Sequence, residues 1–160
     1  MVGKQSSPKA IGVSHLRVRY SETDKMGVVY NSNYLIWFEI GRVELMRELG
    51  HSYHEMEQDG LMLPIAEVTC RFKASATYDD QIQIHTSILK LRRSLIQFGY
   101  EIRRESDGKL LATGTSSHLV TDLHVQRKLL PEKYIVAFSR AMGASAALLT
   151  ERTLKLKSSK

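Results

Sequence analysis

The chain has 160 residues, 42% hydrophobic and 25% charged, which suits one soluble domain with a sizeable core. Its net charge of +6 sits mostly at the ends, on Lys4 and Lys9 and on Arg152, Lys155, Lys157 and Lys160 against Glu151; a nucleic-acid binder would concentrate it on a folded face. No stretch nears the roughly 18 apolar residues of a membrane span, MVGKQSSPKA lacks a secretory core, and the single Cys70 cannot form an internal disulfide, so a cytoplasmic location is expected.

HLRVRY, residues 15–20, alternates Leu16, Val18 and Tyr20 with His15, Arg17 and Arg19, the pattern of a half-buried strand. A turn containing Asp24 follows, and then a predicted helix from about Asn33 to Leu49, with Gly50 where a left-handed C-terminal cap is expected. The first half of that helix, Tyr34 to Phe38, is apolar nearly all round and should be buried. Arg42, Glu44, Arg47 and Glu48 make its second half amphipathic. Gly41 in mid-helix costs about 1 kcal/mol against alanine, which a close approach to a sheet would explain. A shorter helix is expected over residues 52–59.

The period then becomes two. Ala66, Val68, Cys70, Phe72 and Ala74 alternate with polar neighbours, so Cys70 reads as buried packing. Ile82, Ile84 and Ile88 form the apolar side of a second run, and Ile96, Phe98, Tyr100 and Ile102 that of a third. Residues 109–121 supply one more strand, joined to the third run by the hairpin signal Asp107-Gly108. Pro131 opens a last helix to about Met142. One strand, a long buried helix and hairpin-linked strands predict an α+β fold: an antiparallel sheet around one long central helix. Residues 1–12 are expected to be a flexible tail, 13–145 the folded domain and 146–160 a basic tail.

Asp24 is the sharpest candidate for chemistry. It can simply hydrogen-bond its own turn, a common use of aspartate. It also lies just ahead of a helix N-terminus, whose unpaired N–H groups and partial positive charge can hold an oxyanion. A carboxylate there can activate water or attack an acyl carbon itself. A thioester suits so small a kit. Its leaving thiol has a pKa of about 8.5, so it departs without a general acid, whereas an amide needs a protonated leaving group.

The other residues offer less. Glu39 is a rival carboxylate, with a possible helical ion pair to Arg42 three residues on. His54-Glu55 begins an HExxH pattern, but Gln58 ends it. His51 and His54 share a helix face, and a solvated pair fits them better than a metal site. His85, His118 and His124 gather no second ligand type. No metal site is expected, and the sequence has no GxSxG elbow, P-loop or GxGxxG. Arg92-Arg93 at a strand end is either a solvated terminus or a phosphate clamp.

RYSETDKMGVVYNSNYLIWFE, residues 19–39, resembles the signature of the 4-hydroxybenzoyl-CoA thioesterase family of hot-dog-fold acyl-CoA thioesterases. ASATYDDQIQIHTSILKLRRSLIQFGYEI is similar to the strands that follow in that family, and the likeness covers about residues 15–125. The resemblance implies the hot-dog fold, an acyl-CoA substrate, no cofactor beyond the substrate's own CoA, and a homodimer or homotetramer with the site between subunits. It implies that Asp24 is the catalytic aspartate and that the backbone N–H of Asn31 polarises the thioester carbonyl. The Asn31 side chain departs from the aromatic residue or histidine often found there. Tyr30 and Asn33 match positions that build this corner, and Arg92 and Arg93 match a basic pair near the CoA phosphates. Trp37, Tyr34 and Met62 are candidates to line the acyl pocket. An acyl-ACP thioesterase and a non-catalytic acyl-CoA-binding module are the alternative functions. A dehydratase would want a histidine in the helix, which has none.

Overall fold

The structure is a computed structural model that describes residues 12–142. Of the tail expected over residues 1–12, Gly12 opens the first strand and residues 1–11 lie outside the described residues, as do residues 143–145 and the basic tail from 146. Five strands form one antiparallel sheet in the order β1-β3-β4-β5-β2: β1 Gly12–Arg17, β2 Ile65–Phe72, β3 Gln81–Arg92, β4 Leu95–Arg104 and β5 Leu110–Leu119. Helix α1, Ser32–Glu48, lies across one face; α2 is Tyr53–Gln58 and α3 Glu132–Ala141. This is the expected hot-dog arrangement.

The close approach inferred at Gly41 is real. A Cβ there would sit 2.4 Å from Thr86 Oγ1 and 2.6 Å from Ile84 Cγ2, so only glycine lets the middle of α1 touch β3. One turn earlier, Phe38 stacks on Tyr100 of β4 with ring centroids 4.3 Å apart. Ile82, Ile84, Ile88, Ile96, Phe98 and Ile102 are all buried beneath the helix. Burial of each such side chain contributes about 1.5–3 kcal/mol.

Three expectations are corrected. The first strand ends at Arg17, not Tyr20; a 3-10 turn over Tyr20–Glu22 replaces its last residues. It stops there because the Glu22 carboxylate accepts the N–H of Arg19 at 2.8 Å, removing a ladder donor. Arg42 is not on a solvated face. It is 8% exposed, and its Nε donates to the Tyr53 hydroxyl at 3.1 Å, so the ion pair with Glu39 is not made. Strand β2 is not half-buried: every residue but Cys70 is exposed, and Cys70 is only partly covered. It pairs with β5 on one side and closes the sheet as an edge strand with no neighbour among the described residues on the other.

Candidate active site

Residues 22–34 fold back on themselves to build one corner. Thr23 bridges Val29, and the tight loop between them is closed by Asp24. The Asp24 N–H donates to the Val28 carbonyl at 2.9 Å, and the Gly27 N–H donates to the Asp24 carbonyl at 3.0 Å. Gly27 takes φ +76°, a left-handed geometry that favours glycine. Asp24 Oδ1 accepts the Met26 N–H at 2.8 Å. Its other carboxylate oxygen faces solvent without a partner among the described residues. Asp24 therefore shapes the turn with one oxygen and keeps one free for chemistry.

Helix α1 starts six residues after Met26, with Asn31 as its N-cap. The N–H groups of Asn33 and Tyr34 donate to the carbonyls of Tyr30 and Asn31, at 3.0 and 3.2 Å. Those of Asn31 and Ser32 have no acceptor among the described residues, the ordinary condition of a first helical turn. The Asn31 side chain is exposed and makes no capping bond. What Asn31 leaves available at this corner is thus its backbone N–H, beside the positive end of the helix.

A residue that sequence reasoning passed over fixes the two halves of this corner together. Glu22 is 5% exposed. Its main-chain carbonyl accepts both the Tyr30 N–H at 2.9 Å and Asn33 Nδ2 at 3.0 Å. Its carboxylate accepts Trp37 Nε1–H at 3.1 Å as well as the Arg19 N–H. One residue thereby ties the turn two positions before Asp24 to the first turns of α1. The available signal was Trp37: a buried indole N–H needs an acceptor, and Glu22 supplies it. Replacing Glu22 by glutamine leaves one of these two donors facing an NH2 group. The expected cost is about 1–3 kcal/mol, read as a lower urea midpoint at unchanged slope; an unchanged midpoint would show that this carboxylate does not brace the corner.

The remaining site residues are placed as follows. Asn33 braces the corner through Glu22, whereas the Tyr30 side chain is exposed. Trp37 and Tyr34, expected at the acyl pocket, are packed into the core, where the Tyr34 hydroxyl accepts the Ala76 N–H at 3.3 Å. Met62 is half-buried. Glu39 is exposed, eight residues beyond Asn31, or about 12 Å along the helix. Arg92 and Arg93 are not brought to this corner. The corner lies at the Gln81 end of β3, where the Val18 N–H donates to the Asp80 carbonyl at 2.9 Å. Arg92 is at the other end of this 12-residue strand, about 36 Å away.

The chain is similar to several known thioesterases. The chain is 36% identical over 112 residues to a putative acyl-CoA thioesterase, YneP, of Bacillus subtilis, covering 70% of this chain and 80% of that protein. It is 26% identical to the acyl-CoA thioester hydrolase YbgC of Escherichia coli O6:H1, covering 78% of this chain and 93% of that one. The crystal structure of a DHNA-CoA thioesterase from Staphylococcus aureus superposes with a TM-score of 0.78 at 30% identity, covering 82% of this chain and 90% of that one. The model of the thioesterase-like superfamily matches residues 18–142, nearly all of the described fold, and the chain belongs to that superfamily.

Proposed function

We propose that the protein is an acyl-CoA thioesterase. The observation that carries this reading is the unpartnered oxygen of Asp24 in a turn that Glu22 ties to the start of α1, where the Asn31 and Ser32 N–H groups are open. The thioester carbonyl oxygen is placed at the Asn31 N–H, and the charge that develops on it is stabilised there, each such donor being worth about 3 kcal/mol. Asp24 attacks the carbonyl carbon, or takes a proton from the water that does. The carbon–sulfur bond breaks and the thiolate leaves; where Asp24 is the nucleophile, water then hydrolyses the acyl-Asp24 anhydride, and by either route the products are a free acid and CoA. Tyr30 and Asn33 shape this corner, and Arg92 and Arg93 are assigned to the CoA phosphates. The test is thiol release from short, long, branched and aromatic acyl-CoAs, with the best acyl group then offered on ACP. Release from none of them would overturn the reading.

We also infer an obligate homo-oligomer, at least a dimer. Among the described residues strand β2 has an unpaired edge; Ile65, Val68 and Phe72 on it are exposed, as are Leu35 and Ile36 of α1. An open apolar edge of this kind invites pairing with another chain, and a two-fold axis lets the same edge serve both subunits. Light scattering is expected to give at least twice the 18.2 kDa of the chain. An active monomer at micromolar concentration would refute this.

A further inference from the structure

Glu22 is a buried carboxylate whose presence packing does not explain. Taking a carboxylate out of water is costly unless it is well paired. The nearest cation, Arg19 Nη2, lies 3.6 Å away on a side chain that is 73% exposed, and ion pairs open to water contribute little. An apolar side chain of similar size would fill the same space without that desolvation cost. What the carboxylate supplies is geometry. Oε2 accepts the Arg19 N–H at 2.8 Å, from the chain that enters the turn. Oε1 accepts the Nε1–H of the fully buried Trp37 at 3.1 Å, from α1. With both oxygens engaged by different elements, the carboxylate is fixed in place.

The turn has little else to hold it. Tyr20, Met26 and Tyr30 are all exposed, so the side chains around Asp24 do not pack into the core. The far limb of the turn is anchored at Val29, which is buried and donates its N–H to the Ala76 carbonyl at 2.9 Å. The near limb, which carries Asp24, is anchored at Glu22. From there the ties continue: Thr23 N–H and Oγ1–H both donate to the Tyr20 carbonyl, at 3.1 and 2.7 Å, and Asp24 is the next residue. On the helix side, the Tyr30 N–H and Asn33 Nδ2 both reach the Glu22 carbonyl, and Asn31 lies between those two residues. We propose that Glu22 is a positioning residue for thioester cleavage, its Trp37-bound carboxylate setting the distance between the Asp24 oxygen and the Asn31 N–H. This rests on the thioesterase reading and deepens it. Displacing a reacting group by about 1 Å costs on the order of a hundredfold in rate, so a corner that stays folded but loosens shows the change in kcat.

The experiment uses Glu22→Gln, Trp37→Phe and the double variant, each at a temperature where circular dichroism shows it fully folded. Glu22→Gln keeps the shape and puts a neutral amide in place of the charge. Its kcat is expected to fall at least tenfold with KM within twofold. The loss should be equal for an acyl-CoA and for the same acyl group on N-acetylcysteamine, because it arises at the reacting carbon. Trp37→Phe, which removes the indole donor, should show a similar loss. The double variant should lie within threefold of the poorer single variant, as residues acting as one unit do. Trp37 is the only tryptophan in the chain, so its 15N-labelled indole gives a single NMR peak. That peak is expected to move in Glu22→Gln, which exchanges a charged acceptor for a neutral one, and to stay in place in Asp24→Asn. A merely structural role lowers stability and leaves kcat of the folded variants unchanged; that result would overturn the proposal and leave the thioesterase reading standing. Losses that multiply in the double variant, or an unmoved indole peak, would also overturn it. No hydrolysis by the wild-type protein would overturn the thioesterase reading and this inference with it.

Discussion

Asp24→Asn is expected to keep the fold and lower the rate of thioester hydrolysis at least a hundredfold. The amide oxygen of asparagine can still accept the Met26 N–H that Asp24 Oδ1 accepts at 2.8 Å, so the turn survives. What is lost is the free carboxylate oxygen, which is either the nucleophile or the base of the proposed mechanism. Losing either role costs on the order of a hundredfold or more. Because Asp24 acts at the reacting carbon, the loss should fall on kcat with KM little changed. Activity within threefold of wild type would sink the assignment, and Glu39 would become the next carboxylate to test. Single turnover in labelled water then separates the two roles: an acyl-enzyme on Asp24 puts an enzyme oxygen into the first product molecule, and direct attack by water does not.

The legibility of the fold in the sequence follows from which faces a single chain covers. Ile82, Ile84, Ile96, Phe98 and Ile102 were readable because α1 lies over them, so alternation and burial coincide. Alternation alone misled at β2. Val68 and Phe72 have the right spacing, but among the described residues no second layer covers them, and Cys70 is consequently half-open with only burial to push its thiol pKa up. Gly41 was legible because a glycine in mid-helix costs stability and demands a reason. Arg42 was not, since charge and helical spacing alone say solvent; its burial depends on Tyr53, brought in by α2.

The Asp24 corner was legible as a motif but not as a mechanism of support. In SETD nothing in the spacing separates Glu22, which is buried and structural, from Asp24, which is exposed and half free. The difference lies in Trp37, fifteen positions on. The arginines show the same limit at longer range. Arg92 and Arg93 are adjacent in sequence, yet only Arg92 shares a cleft with Arg127, because the pairing of β4 with β5 carries the chain back to Leu119 beside Leu95.

Acid is expected to destabilise the protein through His118, which the sequence left without a role. His118 is fully buried, and its Nδ1 lies 3.0 Å from the Leu63 carbonyl, which can only accept. Nδ1 is therefore protonated and Nε2 is the lone pair that accepts the Ser116 hydroxyl at 2.8 Å. Ser116 Oγ in turn accepts the Tyr100 hydroxyl at 2.6 Å, and the guanidinium of Arg42 lies beside that tyrosine oxygen. Burial raises the pKa of Tyr100, so it stays a donor. Every proton in this chain points one way, and a second proton on His118 would turn its acceptor into a donor against Ser116. Burial, with the Arg42 charge acting in the same direction against the opposing bond to Leu63, lowers the pKa of His118 to about 4. The unfolded chain binds that proton near pH 6.5, so between pH 6.5 and 4 it holds more protons than the native state, and stability falls as the pH is lowered. The shift corresponds to about 3 kcal/mol in full and about 2 kcal/mol between pH 7 and 5. Urea unfolding at pH 7, 6 and 5 reads it, in a window above the range where Glu55, Asp59, Asp107 and Asp122, all held below their ordinary values, begin to titrate. His118→Gln keeps a donor and an acceptor but cannot be charged. Whatever its stability at pH 7, it should lose about 2 kcal/mol less than wild type on going to pH 5. Parallel losses in the two proteins would show that His118 is not the group that acid attacks.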